Sequence, residues 1–130
     1  ALDQNYIMID VGISSLKAYN DMSEWLNNNQ PPRALLADND VIATACTRAL
    51  KAHGYRIPED VAVIGFDNMP LCSMVEPPLT AIDVDKEMIG KTAVNLLHNR
   101  ITEFYSGAEC INDGTLLVYV STKLVERETT

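Results

Sequence analysis

The sequence predicts an α/β fold in which a parallel sheet is flanked by helices. Two observations carry this. Short apolar runs, rich in β-branched residues, alternate with longer segments whose apolar side chains recur every three or four positions. The first four runs also end in Gly or Asp, residues suited to a strand end followed by a turn or a helix cap. At 130 residues and 47% hydrophobic, the chain is large enough to bury a core as one ordinary domain.

Residues 5–11 read as the first strand, because Tyr6, Ile7, Met8, Ile9 and Val11 form a nearly continuous apolar run that stops at Gly12. A helix then starts at Ser14 or Ser15, places Leu16, Tyr19, Met22 and Leu26 on one face, and ends at three asparagines and Pro31-Pro32. Ala34-Leu35-Leu36-Ala37 is the second strand. From Asn39 or Asp40 a second helix carries Val41, Ile42, Ala45, Ala49 and Leu50 on one stripe and stops at Gly54, which tolerates a left-handed cap. Val61-Ala62-Val63-Ile64 is the third strand, closed by Gly65-Phe66-Asp67-Asn68. A proline-flanked connection with Met69, Leu71, Met74 and Val75 leads to a further apolar run, Leu79 to Ile82. A third helix is expected over about residues 85–100, with acidic residues at its positive end and Met88, Ile89, Thr92, Ala93, Leu96 and Leu97 on its apolar face. Asn112-Asp113-Gly114 reads as a turn, and Leu116 to Val120 and Lys123 to Val125 as one or two short strands.

Composition excludes several classes of function. With 18 acidic and 10 basic side chains, a net charge of −8, the chain by itself is a poor partner for nucleic acid or an anionic membrane. No apolar run approaches the roughly 20 residues needed to cross a bilayer. The residues at Ala1 to Asn5 lack the basic start and apolar stretch of a signal peptide, so a cytoplasmic location is expected. A first residue other than Met fits a fragment or a processed product. Cys46, Cys72 and Cys110 have neither the number nor the spacing of a disulfide framework or a zinc site, and free structural thiols are expected.

Ligands of open parallel sheets bind beyond the carboxyl ends of the strands. There the sequence is polar: Asp10, Gly12 and Ile13 follow the first strand, Asp38, Asn39 and Asp40 the second, Asp67 and Asn68 the third. Carboxylates and carboxamides bind adjacent hydroxyls or ring nitrogens through paired acceptors and donors. Each residue also has a local use, as a helix cap or a turn, and it is their convergence on one rim that favours a binding site. A rim of acids also suits Mg²⁺ in receiver-like or phosphatase-like phosphoryl transfer. That alternative lacks the lysine before a proline that a receiver needs, since Asp67-Asn68-Met69-Pro70 stands there.

Other catalytic patterns fail. Gly90-Lys91-Thr92 lies inside a predicted helix and lacks the earlier glycine of a phosphate loop. Ser14-Ser15-Leu16-Lys17 has the Ser-x-x-Lys spacing without its companions, and reads as a helix start. His53 and His98 sit on different helices, His53 near a C-terminus where an imidazole is favourable. No Gly-x-Gly-x-x-Gly is present. No metal, no cofactor and no enzymatic activity are expected.

One string is more specific than any of these: Asn39-Asp40, Ile42-Ala43, Ala49-Leu50, Gly54, Ile57 through Asn68, and Pro77-Pro78-Leu79-Thr80. It resembles the lactose-repressor/galactose-repressor (LacI/GalR) family of bacterial transcription regulators. The likeness continues through Ile89-Gly90, Ala93 and Leu96-Leu97 to Leu124-Val125-Glu126-Arg127, covering nearly the whole chain and most sharply from Ala34 to Leu97.

The resemblance implies a periplasmic-binding-protein-like type I core of two lobes with the effector between them. Residues 1–130 would be the C-terminal portion of that core, and the helix-turn-helix that binds operator DNA would lie outside this chain. Carried over by motif, the effector contacts would be Asn39 and Asp67, with Ile13 over the ligand and Val84 and Lys86 facing the cleft. Relatives often place an aromatic where Lys86 stands, so a cation here favours a phosphorylated or acidic effector. The helix spanning about 85–104 would pack in the missing lobe, and in the isolated chain its stripe would be exposed or covered by another copy. Homodimer contacts would include Thr44, Arg48, Leu71 and Met74. The implied role is allosteric sensing of a sugar-like effector, with an exported sugar-binding protein of the same fold as the alternative.

Overall fold

The computed structural model describes residues 6–106 and 116–130. The predicted Asn112-Asp113-Gly114 turn and Cys110 lie outside the described residues. The chain divides into two compact units, Ala1–Asp83 with Lys123–Thr130, and Val84–Thr122.

In the first unit, helix α1 (Ser15–Leu26) begins as expected, with the Ser14 hydroxyl accepting from the Lys17 backbone N–H at 3.3 Å. Its buried face is Ala18, Met22 and Leu26, flanked by half-buried Tyr19 and Trp25. Leu16, expected on that face, is 72% exposed; the stripe is centred on the small Ala18 instead. Strand β1 (Ala34–Leu36) leads into α2 (Asp40–Ala52), whose Ile42, Ala43, Ala45, Cys46, Ala49 and Leu50 are buried. The helix ends at His53, followed by Gly54 at φ 88°, the left-handed region that glycine enters without a Cβ clash.

Strand β2 (Ala62–Asp67) pairs in parallel with β1, Leu35 opposite Val63, and β3 (Thr80–Val84) pairs in parallel with β2, Phe66 opposite Ile82. A 3-10 turn (Pro70–Ser73) fills the connection between β2 and β3. Strand β4 (Thr122–Val125) completes the order β1-β2-β3-β4. Helix α2 packs on β2 and α1 packs on α2, and the core lies where they meet, around fully buried Met22, Leu50, Val61, Val63 and Leu79. Each such side chain contributes about 1.5–3 kcal/mol by leaving water.

The predicted first strand is not formed among the described residues of that segment. Tyr6, Ile7 and Met8 are exposed, and only Ile9 and Val11 reach the core. A cavity of about 660 Å³ lies between residues 6–11 and β1, so the apolar run does not close onto the β1 edge. Leu116 to Val120 likewise form no strand, and Leu116, Leu117, Val118 and Tyr119 are exposed.

The chain end from Val125 is sewn into the first unit. Val63 N–H donates to the Thr129 carbonyl at 2.8 Å, and the Thr129 hydroxyl donates to the Val63 carbonyl at 2.7 Å while accepting from Thr80 N–H at 2.8 Å. These bonds satisfy buried backbone groups beside β2 and β3 that would otherwise carry a desolvation penalty.

In the second unit, α3 (Lys86–Tyr105) is capped by Asp85, whose carboxylate accepts from Met88 N–H at 2.8 Å. It is one turn longer than predicted and buries no residue. Met88, Ile89, Ala93, Leu96 and Leu97 are exposed and Thr92 is half-buried. No helix among the described residues is long and apolar enough to cross a membrane.

Candidate functional site

Parallel pairing of β1, β2 and β3 puts the ends of these strands on one rim. Asn39 follows β1 by three residues and caps α2. Its Oδ1 accepts from Ile42 N–H at 2.9 Å, which leaves the amide nitrogen as a donor for another group. Asp67 is the last residue of β2, half-buried and in register with Asp83 of β3.

The two loops are tied directly. Asp40, fully buried at the first position of α2, accepts from Met69 N–H through Oδ2 at 2.6 Å. A carboxylate bonded to a backbone N–H across two loops is a strong, short clamp. It fixes the position next to Asn39 against the corner two residues beyond Asp67. That corner is left-handed, with φ 97° at Asp67 and 49° at Asn68, a region sparsely populated by residues with a Cβ and best tolerated by Asp and Asn.

Asn68 is held from two sides. Its amide nitrogen donates to Asp83 Oδ1 at 3.1 Å, and its Oδ1 accepts from the Arg127 guanidinium at 2.7 Å. Arg127 also donates to the Leu79 carbonyl at 2.6 Å. Lys123 Nζ lies 3.6 Å from Asp83 Oδ2. The motif-based expectations singled out Asn39 and Asp67 but gave no such roles to Asp40, Asp83 and Arg127. The signal for Arg127 is the alternation at the chain end: Val125, Arg127 and Thr129 are half-buried or buried, whereas Glu126, Glu128 and Thr130 are exposed.

The remaining expected contacts are Ile13, Val84 and Lys86. Ile13 is 87% exposed, one residue before the cap of α1. Val84, half-buried at the end of β3, and Lys86, at the start of α3, belong to the second unit, where Lys86 Nζ donates to the Val84 carbonyl at 3.3 Å. Of the expected interface residues, Thr44 donates its hydroxyl to the Asp40 carbonyl at 2.8 Å, and the Arg48 guanidinium stacks 5.4 Å from the Tyr19 ring centre. Both border a hollow of about 140 Å³ shared with Val75 and Pro77. Leu71 is half-buried and Met74 is exposed nearby in sequence.

Residues with catalytic look-alike patterns have ordinary partners. Ser14 is a helix cap, and Lys17 pairs with Asp21 at 2.9 Å. Both groups are exposed; the hydrogen bond to Asp21 raises the Lys17 ammonium, and the one from Lys17 lowers the Asp21 carboxyl. His53 Nδ1 lies 2.9 Å from the Ala49 carbonyl at the end of α2. Cys46 and Cys72 are free and buried, as expected of structural thiols. Burial pushes both up to about 11, helped at Cys72 by the neighbouring Asp40 carboxylate, so neither is a ready nucleophile near neutral pH. Among the described residues, no three His, Cys, Asp or Glu side chains gather as a metal site.

Known proteins resemble this chain in sequence and in fold. The family of periplasmic binding protein-like domains matches residues 3–130. The HTH-type transcriptional repressor PurR of Aliivibrio fischeri (strain ATCC 700601 / ES114) is 42% identical over 78 residues, 60% of this chain and 23% of the repressor. The structure of a putative LacI-family regulator from Sanguibacter keddieii DSM 10542 superposes with a TM-score of 0.84 at 27% identity, covering 99% of this chain and 47% of that one. A complex of the transcriptional regulator CelR with cellobiose superposes with a TM-score of 0.79 at 29% identity, covering 92% of this chain and 35% of that one. The chain spans about a quarter of the length of the curated relatives it matches. The chain therefore belongs to the periplasmic binding protein-like domain family, in the form found as the effector-binding region of LacI/GalR regulators.

Proposed function

We propose that this chain is the effector-sensing and dimerisation part of a cytoplasmic transcription regulator whose operator binding is set allosterically by a small metabolite. The observation that carries the reading is the bond from Met69 N–H to the buried Asp40 carboxylate, which draws the loops bearing Asn39 and Asp67 to one rim. Two polar side chains so placed supply an amide donor and a carboxylate acceptor, a pair suited to the adjacent hydroxyls of a sugar. The cellobiose bound by the CelR relative supports that ligand class.

In this reading Ile13 covers an apolar face of the ligand, and Val84 and Lys86 are further effector contacts. The Lys86 ammonium favours an effector with a phosphate or carboxylate group. Thr44, Arg48, Leu71 and Met74 form the contact between two copies. Effector binding alters operator affinity because the open and closed arrangements bind it differently. No residue has a catalytic role, and the chemistry is recognition alone.

The test uses the longer protein encoded around this chain. The residues encoded before Ala1 are expected to include a basic helix-turn-helix. That protein is expected to retard its own promoter DNA on a gel, with the retardation changed by one member of a panel of sugars and sugar phosphates. A signal peptide upstream, with sugar binding and no DNA retardation, would instead make this an exported binding protein. Magnesium-dependent phosphoryl turnover would overturn the reading altogether.

A further inference from the structure

We propose that Arg127 is a positioning residue for the candidate site, holding the left-handed Asp67-Asn68 corner in the shape that presents the Asp67 carboxylate. The functional part of this rests on Asp67 being an effector contact; the conformational part does not.

Arg127 stands far from the corner in sequence but is brought to it by the chain end. Its backbone N–H donates to the Thr80 hydroxyl at 2.8 Å, and Thr80 is itself tied to Thr129 and Thr130. From this anchor the guanidinium spans two acceptors, the Leu79 carbonyl at 2.6 Å and Asn68 Oδ1 at 2.7 Å. Asp83 takes the other end of the same amide at 3.1 Å. The Asn68 side chain is thereby clamped at both its oxygen and its nitrogen, while the next residue, Met69, is clamped by Asp40. Backbone at φ 97° and 49° persists in residues with a Cβ only where surrounding bonds over-determine it, and these are such bonds. A planar fork is needed to reach two acceptors at once; an ammonium on a flexible stem holds one or the other.

The experiment is solution NMR on the 130-residue chain, reading three-bond amide-to-Hα couplings and carbon shifts at Asp67 and Asn68. In the unaltered chain both residues are expected to give the positive-φ signature. Arg127→Met and Arg127→Lys are expected to lose it, with the couplings of Ala62 to Ile64 in β2 unchanged. Adding Asn68→Gly to Arg127→Met is expected to restore a positive φ at position 68, because glycine needs no clamp to enter that region. A change that merely loosened the fold would not be rescued in this way. A wild-type corner in Arg127→Met overturns the proposal, and if that variant does not fold, a wild-type corner in Arg127→Lys does so. Full effector binding by Asp67→Asn in the longer protein would remove the functional reading while leaving the corner result to stand or fall by itself.

Discussion

Gly65→Ala is expected to lower the unfolding free energy by about 1–3 kcal/mol, measured by urea denaturation, because the added methyl has nowhere to go. Gly65 is buried in the middle of β2. A Cβ built there overlaps Asp40 Oδ1 and lies 3.0 Å from Leu79 Cδ2 and 3.4 Å from Ala43 Cβ. The carboxylate cannot retreat freely, since its other oxygen holds Met69 N–H at 2.6 Å. Either the methyl strains the packing of α2 on β2, or Asp40 moves and a backbone N–H loses its partner. The first outcome is overpacking, which typically costs about 1–3 kcal/mol, and the second leaves a polar group unpaired at about 1–3 kcal/mol. Gly90→Ala is the contrast: its Cβ meets nothing within 4 Å on α3, and no loss is expected there. A Gly65→Ala chain as stable as the parent would mean that the close approach of α2 to β2 is misplaced.

The second large effect concerns binding. Asp67→Asn in the longer protein is expected to weaken effector affinity by tenfold to a hundredfold, about 1–3 kcal/mol, by titration calorimetry. The substitution keeps the shape of the side chain and the tolerance of asparagine for positive φ, so the corner at φ 97° need not change. What it removes is one carboxylate oxygen and the charge, and with them a charge-assisted acceptor for ligand hydroxyls. Unchanged affinity would remove Asp67 from the site.

Much of the fold was legible because β1, β2 and β3 are parallel neighbours that read as short apolar runs, and because Ser14, Asn39 and Asp85 each cap the helix that the periodicity located. The failures have physical causes. The run from Tyr6 to Val11 has the composition of a buried strand, but composition does not fix pairing, and three of its apolar side chains remain exposed. Leu16 has the right spacing for the buried stripe of α1, yet the helix turns Ala18 inward, and a small residue gives a weak signal in a hydrophobic pattern. The periodicity of α3 is no such failure: it located the helix, and exposure of the apolar stripe was one of the two outcomes expected for the chain by itself.

The candidate site divides in the same way. Asn39 and Asp67 were legible because polar residues after parallel strands fall on one rim. Asp40 was legible on the same rim, but its buried clamp was not, because burial of a carboxylate at a helix start depends on the Met69 N–H that reaches it from another loop. Arg127 was quoted in the family resemblance without a role, for its role exists only through contacts with Leu79 and Asn68, both nearly half the chain away.

Because Asn39 caps α2, an alanine there would confuse loss of a cap with loss of a ligand contact. Asn39→Asp separates them: aspartate accepts the Ile42 N–H as well as asparagine does, but it has no amide donor. In the longer protein, with the effector that changes its promoter binding, an unaltered urea midpoint and an affinity lowered at least tenfold are predicted. Affinity equal to that of the parent, at the same stability, would leave Asn39 as a helix cap alone and contradict the site.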